Sequence, residues 1–247
     1  MGANGLLVLF DCDGTLFVGH DELTRPAMIE ALERLTGSEI PADAFDELDH
    51  SASPARWLAR ETVAQRGLPE VDLDAWIALS ERLYLDHAGG GSPEGWAAAE
   101  GAEQALGELE RERFRLALVT GIPEPIARDR LARVRLEGFF PHGQGAFGCE
   151  DAEGEELLVL ALERAATPPN RAVRVGDTSR DTASARAVGI HSVVIAHAGD
   201  APSREDDATT QVVESMPELV AALRSLRATL ENGAGRDRHP AEQTDPS

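Results

Sequence analysis

A chain of 247 residues, 42% hydrophobic and 27% charged, is long and apolar enough for one large domain, or for a core domain with a substantial insertion. Its 44 acidic residues against 23 basic ones leave a net charge of −21, which argues against nucleic acid as a partner. No apolar run nears the ~18 residues of a membrane span, and the first five residues lack the basic region of a secretory signal, so no membrane partner and a cytoplasmic location are expected.

Residues 6–10, LLVLF, form a short apolar run that suits a strand buried on both faces. It runs into Asp11 and Asp13, followed by Gly14 and Thr15. Two carboxylates two apart on an extended chain point the same way and repel, and Asp is depleted from strands. Either the strand simply ends in a turn, for which Asp and Gly are suited, or a cation or a chemical task relieves the repulsion. Cys12 lies between them; with Cys149 as the only other cysteine, neither a disulfide framework nor a zinc site is indicated.

Residues 17–93 carry helical periodicity and no convincing strand. One helix is expected from Pro26 to a stop at Gly37, and a second over 42–48. A third starts at the Ser53-Pro54 pair, with Ser capping and Pro in the first turn, and ends at Gly67. A fourth covers 73–85 and dissolves in the Gly-rich stretch 89–93. This is enough for a small helical subdomain inserted after the first strand.

From Trp96 helices and strands alternate. Helices are expected over 102–111, 123–134, 155–166, 178–188 and 217–230, and strands over 115–119, 171–175, 192–196 and 211–213. That grammar implies an α/β fold, a doubly wound, Rossmann-like parallel sheet whose ligands bind at the carboxyl ends of the strands. Residues 1–16 and 94–230 would form this core and 17–93 the helical subdomain. Residues 231–247 hold no large apolar side chain and are expected to be a disordered tail.

Three strands end in polar residues: Asp11 and Asp13, then Thr120 and Gly121, then Asp177, with Asp181 one helical turn later. Several carboxylates at one sheet edge cannot all ionise without a cation, and oxygen ligands in that number suit Mg²⁺. Taken singly, each group also has an ordinary turn or helix-start explanation.

Together these stretches resemble the haloacid dehalogenase superfamily, specifically its phosphatase-type members with a helical cap. DCDGTL at 11–16 is similar to the first family motif, LVTG at 118–121 to the second and VGDTSRD at 175–181 to the fourth. The resemblance implies Asp11 as the nucleophile that forms an aspartyl-phosphate. It implies Asp13 as general acid/base, with its carbonyl on Mg²⁺, and Thr120 and Gly121 as phosphate-binding. Asp11, Asp13 and Asp177 would form the metal site, and residues 17–93 the cap. An Asp at position 13 favours phosphate over halide substrates, since a departing halide needs no proton. A small phosphorylated metabolite, phosphoglycolate-like or a sugar phosphate, is the implied substrate.

The third family motif is a Lys or Arg at the start of the helix before the fourth motif. The chain has no lysine, and the stretch 148–166 has no arginine before Arg164; Glu150, Asp151, Glu153, Glu155 and Glu156 occupy the place. Arg180 is the candidate substitute, and Asp181 a possible further site residue. Two other outcomes stay open: a catalytically weakened protein that binds phosphorylated ligands or a partner, and a sugar-phosphate mutase.

Overall fold

The run Leu7–Phe10 (β1) forms the middle of a parallel sheet, with every residue buried. In the computed structural model, which describes residues 5–45, 48, 53–90, 93–152, 154–196 and 209–236, the other strands of this sheet are Arg115–Leu118 (β4), Ala172–Gly176 (β5), His191–Ile195 (β6) and Thr210–Val213 (β7). Their order is β4-β1-β5-β6-β7, all pairs parallel.

Alternation along β1 explains why the sheet is covered on both faces. Leu6, Val8 and Phe10 pack into one core with Ala102–Arg111 (α4), Glu124–Arg133 (α5) and Met216–Arg236 (α8) through Leu106, Ile126 and Leu219. Leu7 and Leu9 face the other, with Glu155–Arg164 (α6) and Ser179–Val188 (α7) through Leu157, Leu158 and Ala185. A strand that is apolar on both sides needs helices on both. The chain winds from β1 out to β4 and back across to β5, so β1 is where its direction reverses. The residues after β1, β4 and β5 therefore open into one crevice.

Between β1 and α4 the chain forms Phe17–Gly19 (β2), three helices, Thr24–Thr36 (α1), Ala55–Arg66 (α2) and Leu73–Ala88 (α3), and Trp96–Ala98 (β3). Strands β2 and β3 pair antiparallel, Phe17 opposite Ala98 and Gly19 opposite Trp96. The expectation of no strand in 17–93 is thus corrected. A three-residue strand is too short to display a period of two. Gly19 marks the approach of the two chains, because a Cβ there would collide with the Gly95 carbonyl.

Helix boundaries differ from the sequence expectation in informative ways. Asp72 caps α3 as a good N-cap should, accepting from the amides of Asp74 (2.9 Å) and Ala75 (3.2 Å). Helix α2 has no side-chain cap, and Pro54 precedes it in extended conformation rather than occupying its first turn. Its leading amides find other acceptors: Ala55 N–H donates to Gly121 O (3.0 Å) and Arg56 N–H to Gly148 O (2.9 Å). Two of the groups that every helix start leaves unsatisfied are thus used to dock it on the sheet core. The helix expected over 42–48 is a turn at 42–45; residues 46 and 47, like Glu153, Gly91 and Ser92, lie outside the described residues. Helix α8 continues to Arg236 rather than stopping at Leu230, since extending an established helix is cheap even without apolar signals. Residues 237–247 of the expected tail are outside the described ones.

Candidate active site

Asp11 is the first residue after β1, and its amide continues the sheet register by donating to Val175 O (2.9 Å). The chain then folds back tightly: the amides of Thr15, Leu16 and Phe17 all donate to Cys12 O (3.3, 2.8 and 2.9 Å). Gly14 sits in this turn at φ 73°, a left-handed conformation that glycine adopts without strain. Its missing side chain has a second use, since a Cβ there would overlap the Asp177 carboxylate. Asp177, directly after β5, is thereby brought against the β1 loop. Thr120 follows β4, with its amide on Ala146 O (3.1 Å). A cavity of about 390 Å³ is lined by Asp11, Asp13, Thr120, Gly121 and Asp177 together. Five residues singled out in the sequence thus share one crevice at the carboxyl edge of the sheet.

The other two take different places. Asp181 is buried in a capping box at the start of α7, its Oδ2 accepting from Thr178 N–H (3.1 Å) and Thr178 Oγ1 (2.7 Å). Its Oδ1 accepts from Arg174 Nε (3.0 Å) and Nη2 (2.6 Å). Arg180, proposed from sequence as the substitute cation, donates from Nη1 to Ser53 Oγ (3.3 Å), just ahead of α2.

Two arginines went unremarked in the sequence. Arg174, inside β5, places Nη2 3.4 Å from Asp11 Oδ1. Arg130, on α5, donates from Nη2 to Asp13 Oδ1 (2.7 Å). Its guanidinium lies 4.4 Å from the Phe17 ring centre and 4.7 Å from that of Trp96. A single charged position in an otherwise apolar, doubly covered strand was a signal for Arg174. Nothing in the local sequence of α5 distinguishes Arg130 from a surface arginine.

The electrostatics follow from this layout. Burial pushes the Asp11 carboxyl well above the usual range; Arg174 opposes this, and the carboxylates of Asp181, Asp13 and Asp177 add to it. Burial also works against ionised Asp181, but Arg174 and the Thr178 hydrogen bonds outweigh it and hold that carboxyl below its usual value. Burial pushes the Cys12 thiol up, which makes it an inert core residue. Among the described residues no three His, Cys, Asp or Glu side chains are grouped so as to hold a metal by themselves. A cation here would need main-chain, substrate or water oxygens besides carboxylates, as Mg²⁺ commonly takes.

A family model for haloacid dehalogenase-like hydrolases matches residues 6–189, from the start of β1 to just past α7. The chain belongs to the haloacid dehalogenase-like hydrolase family. Among its relatives, the tyrosine-protein kinase PtkA of Mycobacterium tuberculosis is 31% identical over 199 residues, 78% of this chain and 63% of that one. The chain therefore spans less than two thirds of that relative's length. A phosphoglycolate phosphatase of Pseudomonas fluorescens is 26% identical over 195 residues, 77% of this chain and 69% of that one. In fold, this haloacid dehalogenase-like chain is similar to CbbY from Rhodobacter sphaeroides, solved in complex with phosphate. The TM-score is 0.67 at 20% identity, covering 89% of this chain and 99% of that one.

Within the family frame, the start of α6 lacks the cation of the third motif. Arg164, near the end of that helix, is engaged with Glu150 Oε1 (2.6 Å) and Gly145 O (3.1 Å). The acidic stretch before α6 is therefore partly neutralised from the helix itself.

Proposed function

We propose that the protein is a Mg²⁺-dependent phosphohydrolase acting on a small phosphorylated metabolite, phosphoglycolate-like in size, through an aspartyl-phosphate on Asp11. The observation that carries this reading is the convergence of Asp11, Asp13, Thr120, Gly121 and Asp177 on one cavity of about 390 Å³. A cavity of that size suits a small metabolite.

Asp11 attacks phosphorus and the phosphoester bond to the leaving oxygen breaks, which splits hydrolysis into two displacements. Asp13, exposed to the cavity and steadied by Arg130, gives the leaving oxygen its proton and later takes one from the attacking water. Thr120 Oγ1 and the Gly121 amide hold phosphoryl oxygens. The carboxylates of Asp11 and Asp177 with the Asp13 carbonyl would hold Mg²⁺; burial first, and then the neighbouring carboxylates, push Asp11 up, and a divalent cation would offset both. When bound, that ion neutralises the charge developing on the transferred group. Helices α1–α3 serve as the cap, closing the cavity over the substrate. Arg174 beside Asp11 counts against the alternative of a protein that only binds phosphorylated ligands.

Asp11→Asn is expected to abolish phosphate release from a generic aryl phosphate, and chelation of divalent cations to suppress it in the unaltered protein. Undiminished release by the Asn variant overturns the reading.

A further inference from the structure

The start of α6, where the third-motif cation is missing, borders a void of about 40 Å³ lined by Gly154, Leu157 and Leu158 on one side and by Asp11, Arg174 and Asp181 on the other. Two arginines line this space, Arg174 from the sheet and Arg180 from α7; Arg180 reaches out to Ser53 Oγ (3.3 Å), whereas Arg174 pairs with Asp11. Arg174 lies opposite Leu9 in the β1–β5 register and projects to the α6–α7 face. Its guanidinium is fixed at every edge: Nη1 donates to Val119 O (2.7 Å), Nε and Nη2 to Asp181 Oδ1 (3.0 and 2.6 Å), and Nη2 approaches Asp11 Oδ1 to 3.4 Å. Arg174 is 5% exposed. Burying a guanidinium in the second layer of a sheet is costly, and a well-packed apolar residue often serves stability as well or better. The position therefore calls for a reason other than stability.

We propose that Arg174 is the cationic partner of the nucleophile, relocated from the α6 start into β5, and that Asp181 is the positioning residue that aims it. Its geometry gives the role a particular form. A cation on a loop at the cavity mouth can touch both nucleophile and phosphoryl oxygens. Arg174 lies beneath Asp11, does not line the main cavity, and has its donors committed to Val119, Asp181 and Asp11. It offsets the repulsion between the Asp11 carboxylate and the incoming phosphate without gripping the substrate. Its loss should slow the chemical step and leave substrate binding intact.

The inference rests on the phosphohydrolase reading, and the test separates the two. Arg174→Met with Asp181→Asn removes both members of the Arg174–Asp181 pair, so Asp181 is not stranded as a buried charge and the loss of the cation falls on Asp11 alone. Aryl phosphate turnover with Mg²⁺ and calorimetric binding of inorganic phosphate are measured on the same preparations. The double variant is expected to lose about 10²–10³ in kcat, with KM and phosphate affinity within about threefold of the unaltered protein. Arg174→Lys, which keeps the charge, should stay at least about tenfold faster than the double variant. If the double variant does not melt cooperatively, Asp181→Asn alone decides, with an expected kcat loss of at least about tenfold at constant KM. Turnover of the deciding variant within about threefold of the unaltered protein, a loss that falls on KM and phosphate affinity, or Arg174→Lys as slow as the double variant overturns the role of Arg174 alone. Unaltered protein that releases no phosphate from any ester in a panel overturns the phosphohydrolase reading and this inference with it.

Discussion

Asp11 is held in a state that favours chemistry over stability. Burial raises its carboxyl, three neighbouring carboxylates raise it further, and Arg174 offsets only part of this. A carboxyl raised in the folded state stabilises the fold fully below its unfolded value, about 3.9, and loses that contribution as pH rises through the folded value. At neutral pH, ionised Asp11 is therefore a net cost. Asp11→Asn is expected to raise the metal-free melting temperature at pH 7, by about 2–4 °C for each kcal/mol relieved in a chain of this size. Mg²⁺ should raise the melting temperature of the unaltered protein more than that of the variant. Thermal melts with and without Mg²⁺ check both, and a lower metal-free melting temperature for Asp11→Asn contradicts the argument. At this scale the sequence was legible where a polar residue directly follows an apolar strand, as with Asp11, Thr120 and Asp177. Arg174 was hidden because its strand was judged by its apolar majority, and the partners that explain it are 7 and 163 positions away, at Asp181 and Asp11.

Among the elements, α5 and the β2–β3 ribbon act as one unit. Phe17 and Trp96 meet edge-on at 5.0 Å between ring centres, and the Arg130 guanidinium lies over both rings before reaching Asp13. Burial works against this charge, but Asp13 and Asp21 more than compensate and raise the Arg130 pKa. The ribbon thus fixes a cation that fixes the proposed acid/base, so distant segments determine where Asp13 points. Arg130→Met is expected to lose about 1–3 kcal/mol of stability, because Arg130 is buried over two rings while its Asp13 partner is exposed and can be rehydrated. In whatever protein folds, kcat should fall about tenfold or more through misplacement of Asp13. Denaturant unfolding and steady-state kinetics measure the two effects. Unchanged kcat would show that Asp13 does not depend on this contact. None of this was legible beforehand, because two three-residue strands carry too little periodicity to announce a ribbon.

For the whole molecule, the alternation of helix and strand after Trp96 made the parallel sheet legible, since the helices are long enough to show their period and the strands between them read as short apolar runs. How the helical segment sits on that sheet was not, because main-chain groups make a central part of the contact. Ala55 N–H and Arg56 N–H bind the carbonyls of Gly121 and Gly148, and any residue type offers those groups. What the contact does require is the absence of side chains on the sheet side. A Cβ on Gly148 would collide with Gly121 O and crowd Ala55 N, and one on Gly121 would crowd Ser53 O. Since this seam borders the cavity through Ser53, Ala55 and Gly121, substrate entry in the proposed mechanism must loosen it. Gly148→Ala tests that coupling, as its φ is not in the left-handed region and the added methyl acts by contact rather than backbone strain. The variant is expected to speed hydrogen exchange at the amides of residues 55 and 56 by about tenfold or more while strands β1, β4 and β5 keep their protection. KM should rise by a similar factor, because the closed, binding-competent arrangement becomes a smaller fraction of the population. Mass-spectrometric exchange and steady-state kinetics report on the two independently. Faster exchange with an unchanged KM would mean that closure of this seam contributes nothing to holding the substrate.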